Sequence, residues 1–138
     1  MPIYLSKHNK LNTLHEKPFS SELEMQRLVE DSLSELFGLK FIVTEFAPRG
    51  DLRIDTLAFD PDQRSFVIIE YKRGGNWSVV DQGFSYLSLL LDRKADFVLK
   101  VNENLDNKLA IKDINWEVSR VIFIAPSFNV YQTGALGF

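Results

Sequence analysis

A short apolar run that ends in two charged residues constrains the fold of this chain more than any other feature. Val67, Ile68 and Ile69 are consecutive β-branched residues, which predicts a buried strand over Ser65–Lys72. Glu70 and Lys72 close the run, and the alternation of side chains along a strand places them on the same face. A buried carboxylate or ammonium group is costly unless it is paired, hydrogen-bonded or bound to a metal ion. The run therefore predicts a sheet that contains a polar site.

The strand before it offers a second carboxylate. Asp55 lies inside the apolar segment Leu52–Phe59, although aspartate is a poor strand former. A loop at 60–63 would fold this segment back beside the Glu70 strand, which brings Asp55 opposite residue 69 or 70. Asp51 is a rival for the same role, but it falls in the preceding turn rather than inside the strand.

This set of residue types suits the hydrolysis of phosphodiesters. Two carboxylates, Asp55 and Glu70, can hold a divalent cation that polarises a phosphate and lowers the pKa of a bound water. A neighbouring ammonium group, that of Lys72, can orient or deprotonate this water and stabilise the developing negative charge.

Two predicted helices add polar groups to these strands. Ser21 and Glu24 match a capping box that opens a helix, and Gly38 is a natural end for it. Glu30 interrupts the apolar face of this first helix. A second helix is predicted over 78–92, where Gln82 and Tyr86 lie one turn apart on the same side.

The remaining segments complete an α/β domain. Strands are predicted at 39–46, 95–101 and 120–125, a short helix at about 106–113, and a helical or irregular stretch after Pro126. The predicted order is α-β-β-β-α-β-β, a mixed central β-sheet of four to five strands flanked by helices. Residues 1–18 are predicted to be an N-terminal polar arm or a short edge strand, with His8 and His15 at the surface. Residues 19–138 form the domain, and the chain's end at Phe138 without a terminating element suggests truncation or excision from a longer protein.

Composition excludes several classes of site. The 138 residues contain no cysteine, which removes disulfides, zinc-thiolate sites and thiol nucleophiles and fits a cytoplasmic protein. No signal peptide is visible, and the apolar stretch at 87–91 is too short to span a membrane. The net charge of −3 is not that of a basic nucleic-acid binder. A local basic rim could still bind phosphates, with Arg49, Arg53, Lys72, Arg73 and Lys100 as its members.

The ordered set of helix Glu30, strand Asp55, strand Glu70-Tyr71-Lys72 and helix Gln82-x-x-x-Tyr86 resembles the PD-(D/E)XK nuclease superfamily, with its restriction-endonuclease-like fold. The resemblance covers about residues 20–125 and is closest to the RecB-type branch, which has a Gln-x-x-x-Tyr helix. One departure is that Ile54 stands where the family often has proline. The resemblance implies a four-stranded mixed sheet, Mg²⁺ or Mn²⁺ as cofactor, and endonuclease cleavage of DNA or, less often, RNA, in repair, recombination or defence.

The resemblance also implies roles for single residues. Asp55, Glu70 and the Tyr71 carbonyl would bind metal, Lys72 would be the catalytic lysine, and Glu30 would contact the metal directly or through water. Gln82 and Tyr86 would steady the site and approach substrate. Arg53 and Arg73 are further candidates for supporting the site or contacting substrate. The resemblance also admits a homodimer.

Two other interpretations remain open. In the first, the chain is a catalytically silent nuclease-like fold that binds nucleic acid or a protein partner. In the second, it is a structural interaction domain in which these charges form salt bridges.

Overall fold

A computed structural model describes residues 2–15, 17–50, 52–72 and 78–126. Within these ranges the chain forms six strands and four α-helices. In chain order they are β1 (Ile3–Lys7), β2 (Lys10–Leu14), α1 (Glu22–Asp31), α2 (Leu33–Phe37), β3 (Lys40–Phe46), β4 (Ile54–Asp60), β5 (Ser65–Tyr71), α3 (Val79–Asp92), α4 (Lys94–Leu105) and β6 (Arg120–Ile124). Short 3₁₀ turns occur at 48–50, 111–113 and 116–118.

The central sheet has four strands in the order β3-β4-β5-β6. The first three strands are antiparallel neighbours, and β6 is parallel to β5. A parallel pair needs a long crossover, and here α3 and α4 provide it. The predicted class, a mixed α/β domain whose sheet is flanked by helices, is confirmed.

Both faces of this sheet are covered, so all seven residues of β5 are buried. Phe66 and Ile68 face α3 and α4, where they pack with Phe97. The alternate residues Val67 and Ile69 face α1. Burying each such side chain contributes roughly 1.5–3 kcal/mol, which explains the uninterrupted apolar run.

The first predicted helix begins and ends at the expected residues. The Ser21 hydroxyl accepts a hydrogen bond from the Glu24 N–H at 3.1 Å, and the Glu24 carboxylate accepts one from the Ser20 N–H at 2.8 Å. Gly38 terminates α2 in the left-handed region, with φ of 67°. A break at Ser32, where the backbone leaves helical geometry, divides the segment into α1 and α2.

The predicted strand at 95–101 is wrong, because this segment lies within α4. Phe97, Val98 and Val101 are buried, whereas Leu99 is exposed. That spacing of buried residues is helical, but a short run of apolar residues fits a strand equally well when judged by periodicity alone. The central sheet therefore has four strands, and α4 stands where the predicted order has a strand.

The first residues form a β-hairpin in which β1 pairs with β2, separate from the central sheet among the described residues. His8 and Asn9 connect the strands with φ of 53° and 60°. Two successive residues with positive φ make the type I′ turn, whose twist matches that of a hairpin. His8 and His15 are exposed, as predicted.

Within the described ranges, no helix is both long enough and apolar enough to cross a membrane. The stretch predicted after Pro126, the rival Asp51 and the candidate Arg73 lie outside the described residues.

Candidate active site

Asp55 and Glu70 meet where β4 and β5 stop pairing. The last paired residues at this end are Thr56 and Ile69, so the next residue of each strand carries a carboxylate. The Asp55 N–H donates to Glu70 Oε1 at 2.9 Å, and the Tyr71 N–H donates to Asp55 Oδ2 at 3.2 Å. Each carboxylate thus accepts a hydrogen bond from the backbone of the opposite strand. These side-chain contacts replace the backbone pairing of β4 with β5 at this end and hold the two acids side by side.

Glu70 is only 3% exposed. Burial raises the pKa of Glu70 to about 7, because water no longer solvates its charged form. The hydrogen bond from the Asp55 N–H opposes this shift, whereas the negative charge of Asp55 adds to it. Near neutral pH, the Asp55 and Glu70 carboxylates therefore carry negative charge that the neighbouring protein groups do not fully compensate.

Lys72 follows immediately after β5 and is half-buried. Its N–H donates to the Ile124 carbonyl at 2.8 Å, which anchors the backbone at the end of β6. Lys72 lies just beyond the last residue of β5, so the face shared by its side chain and the Glu70 carboxylate stays a prediction from alternation. The backbone contact with Ile124 places Lys72 at the end of the pairing between β5 and β6, two residues after Glu70.

Helix α3 supplies two more groups to this face. The Tyr86 hydroxyl donates to the Arg53 carbonyl at 3.3 Å, just before β4. The Tyr86 hydroxyl also lowers the pKa of Glu70, in opposition to the larger effect of burial. Burial raises the pKa of Tyr86 well above its ordinary value, so the phenol stays protonated and remains a donor.

Gln82 lies one turn before Tyr86 on α3. Its side-chain carbonyl oxygen is buried and has no hydrogen-bond partner within the described part of the chain. A buried acceptor without a donor is costly and calls for an explanation such as a water molecule or a ligand. Gln82 therefore contributes an unused acceptor to the α3 side of the sheet.

Glu30 lies on the other side of the sheet. Its Oε2 accepts a hydrogen bond from the Thr56 hydroxyl at 2.6 Å and another from Gln26 Nε2 at 3.3 Å. Thr56 directly follows Asp55 in β4, so the two side chains leave opposite faces of the sheet. The structure therefore brings Asp55 and Glu70 together and does not bring Glu30 to them.

A polar network around Glu30 is absent from the sequence-based prediction. Thr56 Oγ1 and the Tyr71 hydroxyl lie 2.9 Å apart. Gln26 Nε2 is 3.0 Å from the Asp55 carbonyl and 2.9 Å from Thr44 Oγ1. The signal for this network was present, because Gln26 shares the line 23-26-30 with Glu30 on α1. Through Gln26, this network holds the Asp55 carbonyl from the α1 side of the sheet.

Arg53 lies at the surface, with its side chain 62% exposed and its Nη1 3.8 Å from Glu45 Oε1. Arg49 pairs with Asp96 at 2.8 Å, and Lys100 lies 3.6 Å from Glu103. These three members of the predicted basic rim thus have acidic neighbours of their own.

The acidic pair has the chemistry to hold a hard divalent cation. Mg²⁺ is commonly bound through one or two carboxylates, with water and phosphate oxygens completing its shell. Asp55 and Glu70 fit this pattern, and the raised pKa of Glu70 marks the charge that a cation would compensate. Among the described residues, no three His, Cys, Asp or Glu side chains form a group that could enclose a metal ion. A cation at Asp55 and Glu70 would thus need further oxygens from water or substrate.

Comparison with known proteins finds a similar protein. The chain is 49% identical over all 138 of its residues to an uncharacterized protein of Haemophilus influenzae. It spans 45% of the length of that relative. No protein-family model matches the chain, and no solved structure matches it.

Proposed function

We propose that this chain is a divalent-metal-dependent nuclease domain of the PD-(D/E)XK type that hydrolyses phosphodiester bonds in DNA. The main support is the reciprocal pair of backbone hydrogen bonds that sets the Asp55 and Glu70 carboxylates side by side. The four-stranded mixed sheet with helices on both faces also supports the proposal, because the resemblance implies a sheet of this kind.

Each residue of the proposed site would have its own role. Asp55 and Glu70 would hold Mg²⁺ or Mn²⁺, which when bound polarises the phosphate and makes a bound water more acidic. Lys72 would orient the attacking water and stabilise the negative charge that develops on the phosphate oxygens. The water oxygen forms the new bond to phosphorus, and the departing ester oxygen takes up a proton.

Supporting residues preserve this arrangement. Tyr86 donates to the Arg53 carbonyl before β4 and lowers the pKa of Glu70, which favours the charged form that would bind a metal. The unused Gln82 carbonyl could accept a hydrogen bond from a water in the site. Neither residue needs to change its protonation state for these roles.

A cleavage assay tests this proposal. We expect Mn²⁺-dependent nicking or cleavage of duplex, branched or single-stranded DNA, and RNA substrates in parallel reactions would reveal a different preference. Lys72→Ala and Glu70→Ala should each abolish cleavage while the circular dichroism spectrum stays native. Lys112→Ala, at an exposed lysine outside the site, is the matched control and should cleave normally.

The silent-fold interpretation makes a different prediction for the same samples. A binding module without catalysis should show no carboxylate-dependent Mn²⁺ binding in calorimetry and no cleavage of any substrate. Full cleavage by purified Lys72→Ala would also overturn the assignment of the catalytic lysine.

A further inference from the structure

The N-terminal hairpin, β1 with β2, exposes apolar surface on both of its faces. Every residue from 2 to 15 is exposed. A two-stranded hairpin alone is at best marginally stable in water, and contiguous exposed apolar surface marks an interaction site. The apolar side chains concerned are Ile3, Tyr4, Leu5, Leu11 and Leu14.

One face of the hairpin combines apolar and basic groups. The register pairs Ile3 with Leu14 near the open end and Lys7 with Lys10 next to the turn. Alternation places these four residues and Leu5 on the same face. Two lysines directly opposite each other repel, and that repulsion would be relieved by an anionic partner.

The charge of the chain is divided unevenly. Residues 2–15 contain two lysines, two histidines and no acid, whereas residues 19–138 contain 13 basic and 18 acidic residues, a net charge of −5. Much of this acidity lies on one pair of helices. Residues 22–37, which form α1 and α2, hold five acidic residues and one basic residue.

The exposed side chains of residues 22–37, here termed the α1–α2 surface, are apolar as well as acidic. Leu28 and Leu36 are each 54% exposed, and Phe37 is also exposed. Asp31 and Glu35 are exposed acids on the same two helices. The α1–α2 surface thus offers what the hairpin needs, namely apolar contacts together with negative charge.

We propose that the hairpin of one copy docks on the α1–α2 surface of a second copy, with Lys7 and Lys10 against Asp31 and Glu35. When each copy docks its hairpin on the α1–α2 surface of the other, both surfaces of both chains are used, and the two chains form a closed two-fold dimer. A nucleic acid would neutralise the two lysines but would leave the apolar side chains unexplained. The α1–α2 surface accounts for both features, and the proposal is independent of any nuclease activity.

Charge reversal with mixing tests this proposal on the full 138-residue chain. Sedimentation equilibrium over a concentration series should show a dimer for the native protein. K7E/K10E and D31K/E35K should each weaken dimerisation by at least about tenfold, because like charges then face each other. The control K108E/K112E changes the net charge by the same amount as K7E/K10E, at exposed lysines outside both surfaces, and should remain dimeric.

Mixing the two charge-reversed proteins gives the sharpest result. The acidic hairpin of K7E/K10E then meets the two lysines introduced by D31K/E35K, and the two unaltered surfaces meet at the second contact. A heterodimer should therefore form more tightly than the homodimer of either variant, and circular dichroism verifies that each variant is folded.

Other outcomes overturn the proposal. A native chain that stays monomeric throughout the concentration series, or a mixture that forms no heterodimer, would do so. Loss of duplex DNA binding by K7E/K10E with an unchanged dimer mass would instead assign the hairpin to nucleic acid.

Discussion

Asp55 and Glu70 hold each other through backbone hydrogen bonds at the point where β4 and β5 separate. The Asp55 N–H donates to Glu70 at 2.9 Å, and the N–H of Tyr71, the residue after Glu70, donates to Asp55 at 3.2 Å. The two acids are therefore positioned by strand backbone rather than by flexible side chains. Such preorganisation is what a metal site requires, because its ligands then need little reordering on binding.

The metal-free protein should lose stability as the pH rises from about 4.5 to about 7. The pKa of Glu70 lies at 4.5 when unperturbed and at about 7 in the fold, so the folded state binds the proton more tightly. The resulting stabilisation is complete below the lower value and is lost above the upper one, a change on the order of 3 kcal/mol. Urea unfolding in EDTA across this range measures it. Glu70→Gln should flatten the profile relative to the exposed control Glu117→Gln, and equal slopes in both variants would contradict the pKa assignment.

Mn²⁺ should raise the melting temperature of the native protein at pH 7.5. A ligand present at one hundred times its dissociation constant stabilises the folded state by about 2.7 kcal/mol. Asp55→Asn and Glu70→Gln should each remove most of this shift, because each deletes one anionic ligand. Differential scanning calorimetry with Mn²⁺ and with EDTA provides the comparison. If Asp55→Asn responded to Mn²⁺ as strongly as the native protein, Asp55 would not be a ligand.

Tyr86→Phe should weaken Mn²⁺ binding more at pH 6.5 than at pH 8.5. The Tyr86 hydroxyl lowers the pKa of Glu70, so its removal lets protons compete more strongly with the metal. Titration calorimetry at the two pH values measures this difference. Tyr4→Phe, which removes an exposed hydroxyl from the hairpin, is the matched control. An equal loss of affinity at both pH values would indicate that Tyr86 acts by packing alone.

Thr56→Val should destabilise the fold by about 1–3 kcal/mol, since it removes the hydrogen-bond partner of the buried Tyr71 hydroxyl and of the half-buried Glu30 carboxylate. The Thr56 hydroxyl donates to Glu30 at 2.6 Å and lies 2.9 Å from the Tyr71 hydroxyl. Burial raises the pKa of Tyr71 well above its usual value, so its phenol stays neutral and still needs a partner. Urea denaturation gives the cost, and Thr13→Val on the exposed hairpin should cost far less. Combining Thr56→Val with Glu30→Gln should then be non-additive, because both substitutions act on one network.

Local sequence patterns predicted the parts of this protein that depend on neighbouring residues. The capping residues of α1, the stop at Gly38 and the hairpin of β4 with β5 all follow from short-range chemistry. The approach of Asp55 to Glu70 also belongs here, because the length of one loop determines which residues face each other in an antiparallel pair.

Alternation along β5 likewise predicts that Glu70 and Lys72 share a face. Only the tertiary structure decided that residues 95–101 are helical, since their short apolar run suits a buried strand or a buried helix. Only it decided the place of Glu30, whose helix could pack on either face of the sheet. Periodicity specifies which side of a helix is apolar, but the choice of sheet face depends on contacts between residues distant in the chain. Asp55 and Glu70 could therefore be paired from sequence, whereas the separation of Glu30 from them could not.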